Sequence, residues 1–167
     1  MANLKTCVAL GVKMVVGTTG LNPSQSEEIR KASQKIAIVF SSNMSIGVNI
    51  FFNLAKDLAQ RAPENYKVRM VETHHIHKKD APSGTAKTIA EYIEKNSHHK
   101  VSNIQSIREG EVVGDHKVVF ESDDDIIILD HHAKSRDIFA AGSLVAAKFI
   151  YQKKNGLFTM QDVLGLN

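Results

Sequence analysis

Tryptophan is absent from the 167 residues, cysteine occurs once and proline three times. The lone Cys7 cannot form a disulfide within the chain, which excludes a disulfide-stapled scaffold and fits a reducing compartment, the cytoplasm. Flanked by Val8, Ala9 and Leu10, it reads as a buried thiol rather than a nucleophile. No apolar run approaches the roughly 20 residues needed to cross a bilayer, so no membrane is expected. The opening Met1 to Lys5 lacks the apolar core of a secretory signal. Low-complexity tracts and internal repeats are missing as well. Aromatics make up only 6% of the chain and are not set between basic residues, and the net charge of +3 is spread thinly. That combination argues against a nucleic-acid partner and is compatible with a small anionic substrate.

What is present is a globular composition, 43% hydrophobic, enough for one ordinary domain or two small pieces sharing a core. Thr6 to Gly11 reads as the tail of a helix stopped by glycine. Lys13 to Val16 is a short apolar strand, followed by the turn Gly17 to Gly20. Asn22-Pro23 starts a helix, with Glu27 and Glu28 favouring its positive end, and Ile36 to Phe40 is a second apolar strand. Strand, helix, strand over about 28 residues predicts a parallel βαβ unit covered on both faces. A helix to about Gln60 follows, with Val48, Phe51, Phe52, Ala55 and Ala59 on one face. Lys67 to His74 alternates as a strand, and Ser83 caps a helix to about Lys95. Ile104–Ile107, His116–Glu121 and Asp125–His131 read as three antiparallel strands. A helix from Asp137 to Gln152 is expected to bury Phe139, Leu144, Val145 and Phe149, with Asn155-Gly156 ending it and a short helical turn after.

The densest polar cluster runs from His74 to Thr85, between a strand and a helix start. The backbone amides of Gly84 and Thr85, with the Thr85 hydroxyl, form an anion site there. Imidazole and ammonium groups just upstream can move protons or supply charge, which suits reduction of, or addition to, a small carboxylated molecule. A capped helix behind a surface loop needs no function, and that bland reading stands beside the sharp one. The spacing of His75 and His77 is poor for zinc, and no metal is expected. His98 and His99 read as solvated residues at a helix end. The loops Gly17-Thr18-Thr19-Gly20 and Ser41-Ser42-Asn43-Met44 both lie at the carboxyl ends of strands, where open α/β sheets bind ligands.

At these residues the chain resembles a known family. Val16 to Gly20, Ser41 to Asn49, Glu72 to Ala86, Arg108 to His116, Ala133 to Arg136 and Gly156 to Phe158 are similar, in order and spacing, to dihydrodipicolinate reductase. The resemblance covers essentially the whole chain and is most specific in His-His-x-His-Lys-x-Asp-Ala-Pro-Ser-Gly-Thr. It implies an α/β (α+β) fold: part of a Rossmann-type parallel sheet, plus a mixed-sheet domain for substrate and assembly with helices on one face. Residues 1–45 would belong to the dinucleotide domain, 46–135 to the substrate domain, and 136–167 to the return. The implied activity is reduction of 4-hydroxy-tetrahydrodipicolinate by NADH or NADPH in the diaminopimelate route to lysine. His74 would be the proton donor or acceptor and Lys78 a second donor, with His75, Gly84 and Thr85 on a dicarboxylate substrate. Gly17, Thr18, Thr19, Ser41, Ser42, Asn43 and Met44 would touch the nicotinamide end of the cofactor. Family members assemble as homotetramers, so a homo-oligomer is expected. The family's glycine-rich pyrophosphate turn would precede Met1, which leaves a second expectation: a catalytically impaired fragment that binds substrate or oligomerises.

Overall fold

The computed structural model describes residues 1–166. The chain divides into two units, Met1–Asn49 with the stretch from Asp137 onward, and Ile50–Arg136. The first opens with α1 (Ala2–Leu10), β1 (Met14–Val16), α2 (Pro23–Ser33) and β2 (Ala37–Phe40), and enters α3 (Ile46–Arg61). The second holds the rest of α3, then β3 (Lys67–His74), α4 (Gly84–Asn96), β4 (Val101–Arg108), β5 (Asp115–Glu121) and β6 (Ile126–His132). The chain returns to the first unit with α5 (Asp137–Tyr151), β7 (Gly156–Phe158) and α6 (Met160–Leu164).

In the first unit the strands lie in the order β1-β2-β7, all parallel. Alternate residues feed opposite faces. Val16 and Ile38 pack with Leu4, Ile29 and Ala32 of α1 and α2, while Ala37 and Val39 pack with Met44, Ala146, Ile150 and Met160. Cover on both sides is the reason these strands are apolar without alternation. Helix α1 stops at Gly11, whose φ of 66° is left-handed. Asn22 and Gln25 cap α2 reciprocally, with Pro23 at its first position. Glu27 and Glu28 lie beyond its first turn rather than at its positive end.

Two expectations fail here. β7 pairs in parallel with β2, where the sequence suggested only a helix stop. α5 buries Gly142, Ala146 and Ile150 instead of its larger residues, and Leu144 is 67% exposed. The cause is close approach: a Cβ on Gly142 would lie 1.8 Å from the Met44 carbonyl oxygen, so no side chain fits at that position.

The second unit is a four-stranded sheet in the order β4-β3-β5-β6. β4 runs parallel to β3 rather than antiparallel, because α4 forms the crossover between them. β5 is antiparallel to β3, and β6 to β5. Val68, Met70, Glu72 and His74 of β3, with His116, Val118 and Phe120 of β5, are buried on the face that meets the helices. Phe51, Phe52, Ala55 and Ala59 of α3 and Ala86, Ile89 and Ile93 of α4 supply the covering apolar surface. His99 is buried rather than solvated, with Nε2 3.1 Å from the Ala62 carbonyl and its ring edge-on to Phe120. The other face of the sheet carries Arg69, Ile126 and Ile128 into solvent. Among the described residues no helix is long and apolar enough to cross a membrane.

Candidate functional site

The end of β3 carries two inward-facing polar residues, two positions apart on the covered face of the sheet. Glu72 has no exposed surface, and His74 is 7% exposed. A buried carboxylate survives only if it is paired and fully hydrogen-bonded. Glu72 meets that demand with several partners. One oxygen faces His74 Nδ1 across a short contact. The other accepts from Arg108 Nη2 at 2.8 Å and from the Ser83 amide at 3.3 Å. Burial alone would raise the Glu72 pKa, but the bonds from Arg108, Ser106 and His74 outweigh it and hold the carboxyl below its ordinary range. Burial also lowers the pKa of His74, against the pull of Glu72 and with help from the positive charges of Lys78 and Arg108. At neutral pH the pair is therefore a carboxylate and a neutral imidazole.

Around this centre the second unit places more groups. The His116 ring stands edge-on to His74 at 5.2 Å, and its Nε2 lies 3.4 Å from Ser83 Oγ. Gly114 backs the His74 ring: a Cβ there would come within 3.0 Å of Nε2. Ser83 Oγ accepts from the Ala86 amide and caps α4.

Asp80 changes the expected picture of the helix start. Its carboxylate pairs with Lys78 Nζ at 2.7 Å, and that bond first, with nearby backbone amides adding to it, lowers its pKa. The chain's own Asp80 carboxylate thus lies near the opening of α4. Arg108 reaches the same turn through the Asp80 carbonyl at 2.5 Å. His74, Lys78 and Gly84 are brought together, while Thr85 is half-buried beside them. His75 is half-buried with its ring 6.2 Å from that of His77, and it joins none of the hydrogen bonds of the Glu72 network among the described residues. Among those residues no group of three or more His, Cys, Asp or Glu is placed to hold a metal ion.

In the first unit, the two loops at the carboxyl ends of β1 and β2 are neighbours, and the Ser41 amide donates to the Val16 carbonyl at 3.2 Å. Gly17, Thr18, Thr19 and Ser42 are exposed, with Ser41 half-buried. Asn43 and Met44 turn inward. Asn43 Oδ1 accepts from the Ser45 amide at 2.8 Å, its carbonyl accepts from Asn49 Nδ2 at 2.9 Å, and Met44 is 4% exposed. Gly17 lies close to Met44: a Cβ there would meet Met44 Cγ at 3.3 Å, so any side chain would press on Met44. Exposed amides and hydroxyls at the ends of parallel strands fit the amide and ribose of a nicotinamide nucleotide, and Asn43 and Met44 set the loop's shape.

Glu72, Arg108, His116 and Asp80 received no role from the sequence. For two of them a signal existed. Alternation along β3 and β5 puts Glu72 and His116 on the covered face, where an ionisable residue requires a reason.

Comparison with known proteins shows the family. Residues 1–44 match the family described as dihydrodipicolinate reductase, N-terminus, and residues 47–164 match dihydrodipicolinate reductase, C-terminus. A 4-hydroxy-tetrahydrodipicolinate reductase of Nitrosomonas europaea is 43% identical, over 99% of this chain and 69% of its own length. One from Methanocorpusculum labreanum is 39% identical, over 99% of this chain and 71% of its own. The solved dipicolinate-bound dihydrodipicolinate reductase of Paenisporosarcina sp. TG-14 shares the fold, with a TM-score of 0.78 over 96% of this chain and 68% of that one at 22% identity. The chain belongs to the dihydrodipicolinate reductase family.

Proposed function

We propose that the chain reduces 4-hydroxy-tetrahydrodipicolinate to tetrahydrodipicolinate with NADH or NADPH, a step of the diaminopimelate route to lysine. The observation that carries this reading is the convergence of His74, Arg108 and the start of α4 on one buried carboxylate, Glu72, with Lys78 held close by through Asp80. His74 accepts or returns a proton at Nε2. Lys78 supplies positive charge and a second proton. His75, Gly84 and Thr85 hold a substrate carboxylate. Gly17, Thr18, Thr19, Ser41 and Ser42 hold the nicotinamide end of the cofactor, on loops shaped by Asn43 and Met44. When bound, the nicotinamide supplies a hydride, and the protein supplies orientation and proton management. Assembly as a homo-oligomer, a tetramer as in the family, and a cytoplasmic place go with this reading. The apolar, solvent-facing Ile126, Ile127 and Ile128 on edge strand β6 support the assembly.

The test is consumption of reduced nicotinamide in the presence of substrate, with dipicolinate binding measured alongside. Turnover is expected, and His74→Gln and Lys78→Met should each lower it about 100-fold or more. A chain that neither consumes the cofactor nor binds dipicolinate overturns the proposal. One observation favours a second reading, a module that binds substrate and oligomerises without turnover: the Glu72 network is complete within Ile50–Arg136. Dipicolinate binding with no cofactor consumption would select it.

A further inference from the structure

The most demanding residue of the second unit is Glu72, a charge with no solvent contact on the covered face of a sheet. An apolar side chain would fill that position at less cost, unless the charge is needed. Its two oxygens are used differently. Arg108 Nη2 and the Ser83 amide both donate to Oε1, whereas Oε2 faces His74 Nδ1, and the Ser106 side chain also bonds the carboxylate.

An ionised carboxylate only accepts hydrogen bonds, so the nitrogen opposite Oε2 has to carry a proton. A neutral imidazole has one such proton. With it on Nδ1, Nε2 keeps its lone pair, and Nε2 is the nitrogen beside Gly114, where the missing side chain leaves room. We infer that Glu72 is a positioning residue: its carboxylate sets the His74 ring with the proton on Nδ1 and the lone pair on Nε2, and its other oxygen ties Arg108 and the start of α4 to the same centre. This inference rests on the reading of His74 as the proton-transferring group. The logic is that of the buried aspartate behind the histidine of serine proteases, which orients the ring, selects its tautomer and stabilises the imidazolium.

The groups facing His74 are Glu72 on its own strand, Lys78 in the following loop, Arg108 on β4 and His116 on β5. Lys78 and Arg108 oppose a proton on Nε2, and His116 and His74 oppose each other's protonation. Glu72 acts on the ring in the other direction. A buried histidine among cations would otherwise stay neutral through the proton transfer, and Glu72 lets it take up a proton at Nε2 and give it back.

The discriminating variant is Glu72→Gln. Arg108 and the Ser83 amide require an oxygen at the Oε1 place, so the new amide must turn its NH2 toward Nδ1. Nδ1 then has to accept, and the ring proton moves to Nε2. Nitrogen-15 NMR of the full chain, labelled at histidine, reads this directly. In the unsubstituted protein His74 should show a protonated Nδ1 and a bare Nε2, and in Glu72→Gln the two signals should exchange character. The His74 titration should move further to acid, and kcat should fall about 100-fold with KM changed less than about threefold. A purely structural Glu72 would affect stability and leave the tautomer alone. Finding Nε2 protonated in the unsubstituted protein, or the same tautomer in both, overturns the inference whether or not the variant is stable. The functional reading fails separately: adding dipicolinate to the unsubstituted protein would then leave the His74 signals unmoved.

Discussion

Behind His74 stands His116, buried to 4% exposure, with its Nδ1 lacking a partner among the described residues. Burial, then the neighbouring His74, pushes its pKa down to about 3. An unfolded histidine titrates near 6.5, so between those values the unfolded chain binds more protons than the folded one. Stability should therefore rise with pH across this window and be fully present above about pH 6.5. The lowered pKa values of His74 and His131 act with the same sign. Urea unfolding should show a loss on the order of 3 kcal/mol between about pH 6.5 and pH 4. His116→Phe keeps a ring against His74 and removes the titrating group, so most of that slope should vanish. Parallel slopes in the two proteins would assign the acid sensitivity elsewhere. The same residue shows how far the site could be read from sequence. His74, Lys78 and the Ser83 cap sit in one contiguous run and are visible as a cluster. Glu72 lies in the same run, yet its role depends on Arg108 of β4, 36 residues away, and on being sealed under α4. No local pattern contains that pairing.

Among the elements, α5 makes the least intuitive contact. Its inner face is made of Gly142, Ala146 and Ile150, and the backbone of Met44 lies against Gly142. Gly142→Ala would force the helix and the loop after β2 apart. The expected cost is about 1–3 kcal/mol of stability, with weaker nicotinamide nucleotide binding because the displaced loop carries Ser41 and Ser42. Leu144→Ala, at an exposed position of the same helix, should cost less than about 0.5 kcal/mol. Chemical denaturation and fluorescence titration with NADPH measure both, and the opposite ranking would mean that the large face of α5 is the packed one. Side-chain size misled the sequence reading here because close helix packing rewards the absence of side chains. β3 was legible to the residue, since its alternation is regular and one face is buried. The direction of β4 was not, because periodicity reports which face is covered and not which way a neighbour runs. β7 has three residues, too few for any period, and is a strand only because β2 offers it an edge.

At the scale of the whole molecule, the open question is what meets β6. It is an edge strand, and Ile126 and Ile128 are each 53% exposed while Ile127 is 36% exposed. Three successive isoleucines on an unpaired edge are what soluble monomers avoid, since the free N–H and C=O groups and the apolar side chains together invite another strand. Charged residues guard most edges of this kind, and here they flank the run at Asp123–Asp125 and Asp130 and leave the three isoleucines between them bare. Burying the two isoleucines that point to the open face would contribute a few kcal/mol per contact, of order 25 cal/mol for each Å² removed from water. That is sufficient to hold a symmetric assembly if the patch meets its own copy, as closed homo-oligomers do. The full chain should sediment as an oligomer at micromolar concentration. Ile126→Lys with Ile128→Lys should shift it to monomer. The His74 resonances should stay in place, because Glu72 and Arg108 lie on the two strands farthest from that edge. A double variant that sediments like the unsubstituted protein would remove β6 from the interface.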